Sequence, residues 1–318
     1  MNNNRQKVVI AKGYMALSSI FDELNLTEVL KNKKNVLIKP NLRAAAVKNY
    51  SACAITNLSV IKELTNKLLD RGLSVTIGEC TSSRYITEKA LVQSGVKKLA
   101  SRNVEILNLN NEDIKKIYIP NSKLKSIDVP TPILETDFLI SLPVMKTHTL
   151  TLVTLSLKNM IGATGEITPP RMHLKGISRS IVEVNKVIPP DLSIIDATRA
   201  MQGDGPVLGA EVKLDTLIGG VDPVSVDSIG ARMMGFDPYT IEHLISAEKK
   251  SIGRIKPNKI VGELNIEKFE VPGDMFDIYA YKWFNLLMST KVIHSIVYDY
   301  TYFIFKKLLD KWLHPKSK

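Results

Sequence analysis

Short runs of β-branched and aliphatic residues recur along the first 270 positions of this 318-residue chain, and most lead into a stretch with helical spacing. QKVVIAKG is the first run, and Leu17, Ile20, Phe21 and Leu24 follow it at helical intervals. NVLIKPNLR is the second. The stretch from Leu58 to Leu69 then repeats apolar residues at helical spacing, and Arg71-Gly72 closes it with a basic last turn and a glycine cap. SVTIGEC, DFLISLPVMK and LSIIDATR read as further strands, and Ile86–Val92 and Asp222–Met234 as helices. Strands alternating with helices predict an α/β fold with mainly parallel sheets flanked by helices. At this length two lobes are expected over residues 1–272, with boundaries near 80 and 188, so that the first lobe is discontinuous.

In sheets of this kind ligands bind beyond the carboxyl ends of the strands. Four expected strands end in polar residues: Lys39, Asn41 and Arg43; Glu79, Cys80 and Thr81; Lys146 and His148; Asp196 and Arg199. One such end means little, because every strand must surface somewhere. Four together point to a convergent site.

The densest stretch is PVMKTHTLTLVTLSLKNMIGATGE, from Pro143 to Glu166. Leu150, Val153, Leu157, Met160 and Ile161 share one face at helical spacing, and Gly162 would close that helix. Lys158 then falls in the last turn, where the exposed carbonyls favour a cation whatever its function. Along one straight helix His148 and Lys158 would stand roughly 15 Å apart. A site shared by both therefore requires the chain to turn just after His148.

A second stretch, IIDATRAMQGDGPVLGAE, carries Gly203, Gly205, Pro206 and Gly209. Such a loop lets backbone N–H groups approach a phosphate or carboxylate, although it is neither a Walker loop nor G-x-G-x-x-G. Asp222 reads as a helix cap, with Asp227 five residues on. No nucleophile elbow, no H-E-x-x-H and no carboxylate pair of diagnostic spacing is present.

The net charge of +11, from 43 basic and 32 acidic residues, favours anionic partners. Nucleic acid has the least support among them, since zinc-finger spacing, basic heptads and RNA-binding aromatic signatures are missing. Two cysteines, Cys53 and Cys80, are too few for a disulfide framework and fit a reducing, cytoplasmic setting. The amino terminus lacks the apolar core of a signal peptide, and no uncharged apolar run is long enough to span a membrane. Composition changes towards the carboxyl end: residues 276–318 hold 11 of the 20 aromatic residues. Ile304, Leu308 and Trp312 share one helical face there, with Lys307 and Lys311 on another. The tail, 273–318, is expected to be a basic amphipathic helical appendage. It suits docking on the protein itself, on a second copy in a homo-oligomer, or on a membrane surface.

IKPNL at Ile38–Leu42, LPVMKTHTLTLVTLSLKNMIG at Leu142–Gly162, IIDATRAMQGDGPVLG at Ile194–Gly209 and DPVSVDSIGARMMG at Asp222–Gly235 together resemble the family called domain of unknown function 362. The resemblance covers roughly Lys7 to Gly262. Some members of that family carry a module with two iron–sulfur clusters; with two cysteines this chain is expected to hold no such cluster of its own. The order His148, Lys158, His173 is also similar, more distantly, to lactate racemase and its relatives, which use a nickel-pincer nucleotide. That likeness implies a covalent cofactor link at Lys158 and metal ligation by His173. The racemases have a catalytic histidine after the next strand, where this chain has Glu79, Cys80 and Thr81, which argues against histidine-based proton abstraction.

These readings converge on an enzyme or ligand-binding protein for a small anionic metabolite or nucleotide-like molecule in an interlobe cleft. Lys146, Lys158 and Arg199 would neutralise the anion, Glu79 or His148 would transfer protons, and Asn41 would orient the ligand. Lys39, Arg43, Asn159, Asp196, Gly203 and Gly205 complete the expected binding set. The alternative is a non-enzymatic module that meets an iron–sulfur or redox partner, or a membrane, through 276–318.

Overall fold

Buried runs that read as strands do become strands, and a single sheet collects them. In the computed structural model of the protein the described residues are 6–271, apart from 14, 49, 82 and 167 and from the side chains of 170, 171, 173 and 174. The expected appendage over 276–318 lies outside the described residues. The strands are β1 (Lys7–Lys12), β2 (Asn35–Pro40), β3 (Ser74–Glu79), β4 (Val104–Asn108), β5 (Ile114–Tyr118), β6 (Ser126–Pro130), β7 (Phe138–Leu142), β8 (Val144–His148), β9 (Leu152–Thr154), β10 (Leu192–Gln202), β11 (Ala210–Val212), β12 (Thr216–Gly220) and β13 (Lys259–Val261).

The main sheet runs β13-β1-β12-β10-β7-β2-β3-β4, with β8 and β11 attached to β10 and β9 attached to β8; β5 and β6 pair separately. Strands from before residue 80, from between 80 and 188 and from beyond 188 share this sheet. Pairing is parallel from β10 through β7, β2 and β3 to β4. That half matches the strand–helix alternation of the sequence. The other half is mixed, because β12 runs antiparallel to both β1 and β10. All of β2 except its first residue is buried, as expected of a strand covered on both faces.

The helix Leu58–Leu69 shows why the flanking elements form. Val60, Ile61, Leu64 and Leu68 are buried on one side, so truncating one of the leucines to Ala would cost about 2–5 kcal/mol. The Asn57 side chain caps the helix by accepting the Ser59 N–H at 3.0 Å. Gly72, at φ +76°, ends it in the left-handed conformation that glycine adopts without strain.

Two expectations fail here. DFLISLPVMK is not one strand but two, β7 and β8, broken at Pro143. Proline has no N–H for the ladder, and its carbonyl instead accepts the Asp196 N–H at 2.8 Å. The helix expected from Leu150 to Ile161 is for its first half a hairpin: β8 folds back on β9, pairing Lys146 with Thr154, Thr147 with Val153 and His148 with Leu152. The β-branched Thr147, Thr149, Thr151, Val153 and Thr154 explain this, since such side chains pack better on a pleated surface than on a helix. Helix is confined to Ser156–Asn159, followed by a 3₁₀ turn, Met160–Ala163. The chain thus turns just after His148, as a shared site required.

Candidate functional site

At the carboxyl ends of β2 and β3 lies a buried ion pair. Lys39 Nζ stands 2.5 Å from Glu79 Oε1, and the two side chains are 1% and 2% exposed. Lys39 also donates to the Pro40 carbonyl at 2.6 Å. Glu79 Oε1 accepts the Cys80 N–H at 2.9 Å and Oε2 accepts the Leu42 N–H at 2.7 Å. Both oxygens of this carboxylate are therefore engaged. The 3₁₀ turn closes over the pair at Gly162, where a Cβ would sit 2.9 Å from Lys39 Nζ and 3.1 Å from Glu79 Oε1. No side chain fits at that position without displacing the pair.

Lys146, on β8, extends towards the segment after β2. Its ammonium donates to Asn41 Oδ1 at 2.8 Å, to the Ala54 carbonyl at 2.8 Å and to the Pro206 carbonyl at 3.1 Å. Burial, then the charges of Lys158 and Arg43, push this amine down to about 7. The three acceptors oppose that shift, because together they use every proton of an ammonium group. We therefore assign Lys146 as a fixed, charged anchor. Asn41 in turn donates to Asn159 Oδ1 at 3.4 Å, and Asn159 Nδ2 donates to the Lys39 carbonyl at 2.8 Å and to Ser141 Oγ at 3.1 Å. These contacts tie β2, β7, β8 and the Ser156–Asn159 turn into one unit.

Lys158 differs from its neighbours. It is partly buried, and among the described residues no hydrogen bond or ion pair reaches its amine. Burial first, and the Arg43 charge second, lower it to about 7. Its backbone is held firmly. Asp227, fully buried on the helix Pro223–Met233, accepts the Ser156 N–H at 2.7 Å and the Leu157 N–H at 2.9 Å. Asn185, on the helix Ile177–Val187, donates to the Leu157 carbonyl at 2.8 Å. Burial raises the Asp227 carboxyl to about 8 against the pull of its two N–H donors. Asp227 and Asn185 were not singled out as site residues in the sequence. The signal for Asp227 was the one acid within the mostly apolar VSVDSIGARMM; Asn185 had none.

The remaining sequence candidates lie around this cluster. His148, at the end of β8, is buried and accepts the Leu150 N–H on Nδ1 at 3.1 Å. Asp196 is buried and accepts from the Asn57 N–H at 2.7 Å and the Thr198 hydroxyl at 2.6 Å, so it fixes the start of the helix Leu58–Leu69. Arg199 is exposed and bridged to Glu211, with Nε 2.9 Å from Oε2. A cavity of about 130 Å³ lies between Asp196, Arg199 and Ala52–Leu58, and neither Lys146 nor Lys158 lines it. Gly203 and Gly205 direct their carbonyls at β8 and the residue after it, accepting from the Thr147 and Thr149 hydroxyls. Their N–H groups are already used, by the Glu270 and Gly203 carbonyls. A Cβ on Gly205 would lie 2.1 Å from the Thr147 carbonyl oxygen, which restricts the position to glycine. His173 falls on the helix Thr168–Lys175, but its side chain is outside the described set. Among the described residues no three His, Cys, Asp or Glu side chains gather as a metal site.

Fold and site together define an α/β protein whose mainly parallel sheet carries a cluster of cations at its carboxyl edge. The chain belongs to the family described as Domain of unknown function (DUF362), whose pattern matches residues 36–232. The four motifs that suggested this family fall largely within that match. The chain is 28% identical over 122 residues to thylakoid-associated protein sll1697 of Synechocystis sp., a match over 36% of this chain and 38% of that protein. It is similar in structure to the lactate racemase apoprotein of Thermoanaerobacterium thermosaccharolyticum, with a TM-score of 0.44 and 12% identity over 72% of this chain and 58% of the other. A Thermotoga maritima protein matches at a TM-score of 0.40 and 16% identity, over 71% and 57% of the two chains. The chain therefore spans well under two thirds of the length of each. Among the described residues no helix is long and apolar enough to cross a membrane.

Proposed function

We propose that this protein binds a small anionic metabolite or nucleotide-like molecule at Arg43, Lys146 and Lys158 and acts on it as an enzyme. One observation carries the reading: Lys158 lies close enough to Arg43 to feel its charge, and to Lys146 to press on it, yet no acid pairs with Lys158 among the described residues. Gathering like charges in a partly buried place is unfavourable, and an anionic ligand offsets that cost. Lys146 and Asn41 act as anchors, Arg43 contributes charge, and Lys158 is the group free to react or to exchange a proton. Glu79 serves as the counter-ion of Lys39, because both of its oxygens are taken. His148 stands at the end of β8, two residues beyond Lys146.

Calorimetric titration with inorganic phosphate tests this. Wild-type protein should bind it, and Lys158→Ala and Arg43→Gln should each weaken binding at least tenfold, ~1.4 kcal/mol. His148→Ala should weaken it less. Affinity should fall as pH rises through about 7, because the anion needs the ammonium form of Lys158. Equal binding by wild type and a folded Lys158→Ala protein would sink the proposal.

A second reading rests on the amphipathic, aromatic pattern of 276–318 and on the thylakoid association in the relative's name: peripheral attachment to a membrane through the tail. Vesicles containing anionic lipid should retain the full-length chain, and Lys307→Glu with Lys311→Glu should release it. Retention unchanged by both substitutions would end this reading.

A further inference from the structure

Three buried carboxylates, Glu79, Asp196 and Asp227, are already spent on partners other than Lys158. Glu79 faces Lys39 and two backbone N–H groups, Asp227 faces two more, and Asp196 holds Asn57 and Thr198. The turn that bears Lys158 is pinned on both sides: Leu157 through its N–H and its carbonyl, Asn159 through its side chain on Lys39 and Ser141. Lys158 is therefore an unpaired amine on an immobilised turn, beside a fixed ammonium, Lys146, that has no proton to spare.

We infer that Lys158 forms a reversible imine with the carbonyl carbon of a small ketone or aldehyde that carries a phosphate or carboxylate group. This rests on the anion site proposed above. Arg43 holds the anionic group, the buried charge of Lys146 attracts it from behind, and Lys158 meets the carbonyl. The amine lone pair attacks the carbonyl carbon to give a carbinolamine. A proton then passes from nitrogen to the hydroxyl through solvent, water leaves, and the carbon–nitrogen double bond forms. The balance is one amine and one carbonyl giving one imine and one water, with no redox change. Desolvation and a neighbouring cation are the two conditions that make a lysine nucleophilic, and Lys158 has both: burial and Arg43 bring it to about 7, so much of it is unprotonated near neutrality.

The test uses the full-length chain with pyruvate, with dihydroxyacetone phosphate and with uncharged acetone, each in the presence of cyanoborohydride, followed by peptide mapping. The reductant converts the imine to a stable secondary amine. The expected result is an adduct on Lys158 at least tenfold above that on any other lysine, from at least one of the two anions. Inorganic phosphate should lower it at least tenfold. An adduct from dihydroxyacetone phosphate alone identifies the phosphate as the recognised group, and one from pyruvate alone the carboxylate. Labelling of Lys158 no stronger than that of surface lysines, or equal labelling by acetone, overturns the inference. If phosphate still binds calorimetrically while no adduct forms, the imine falls and the anion site stands. If phosphate does not bind either, both fall.

Discussion

Lys39 and Lys158 sit at the same edge of the sheet and answer the same problem in opposite ways. Lys39 is buried against Glu79, whose remaining lone pairs are covered by backbone N–H groups, and Gly162 seals the pair from above. Lys158 emerges from the turn just before that glycine, and no acid reaches it among the described residues. The Lys39 pair is structural, because its charges are already balanced and no ligand could improve them. The Lys158 charge is unbalanced, and an unbalanced charge held on a rigid turn is what a binding site requires.

The same substitution in the two places should therefore have opposite signs. Lys39→Met leaves Glu79 buried without its partner and should cost about 3–5 kcal/mol in urea unfolding. Gly162→Ala comes next. It pushes a methyl group into the pair and should cost about 1–3 kcal/mol by overpacking. Loss of less than 0.5 kcal/mol would show that the turn does not seal the pair. Asp227→Ala removes the acceptor of two N–H groups at the start of the Lys158 turn and should cost about 1–2 kcal/mol, together with the phosphate binding that depends on that turn. Lys158→Met should instead stabilise the protein, by on the order of 1 kcal/mol, while abolishing phosphate binding. A destabilised Lys158→Met protein would remove the contrast with Lys39.

The smallest effect is the pH dependence of that last gain. The Lys158 amine is lowered from its ordinary value to about 7 in the folded protein. Between about 7 and its ordinary range the unfolded chain holds the proton and the folded chain does not, so lowering the pH through that window favours unfolding. The penalty is complete below pH 7 and fades above it. The advantage of Lys158→Met over wild type should accordingly be larger at pH 6 than at pH 10 when the two are unfolded side by side.

Within the parallel half β2 and β3 were legible because helices with clear periodicity follow them, as in Leu58–Leu69, whose bounds the structure reproduces, whereas β7 leads straight into β8 and β4 was not singled out. The mixed half was not legible. β12 and β13 are short, and nothing local distinguishes a strand that will run antiparallel between β1 and β10 from one that will not. The hairpin after His148 was misread because Leu150, Val153 and Leu157 fit a helical face while their threonine neighbours fit a pleat. Pairing with β8 decided between the two. In the site, Lys39, Asn41, Lys146, Lys158 and Asn159 were all singled out from strand ends and one motif. Their roles were not, since which lysine meets Glu79 depends on the register of β2 against β3.

The sequence by itself determined the class of fold and the collection of polar residues at the carboxyl ends of the strands, which follow from local periodicity and spacing, and the family, which four motifs resemble. Tertiary structure alone decided that Glu79 pairs with Lys39, that Asp227 and Asn185 clamp the turn from two distant helices, and that Lys158 is left without an acid. Electrostatic pairing depends on distances of a few ångströms between residues far apart in the chain, and only the packed sheet sets those distances.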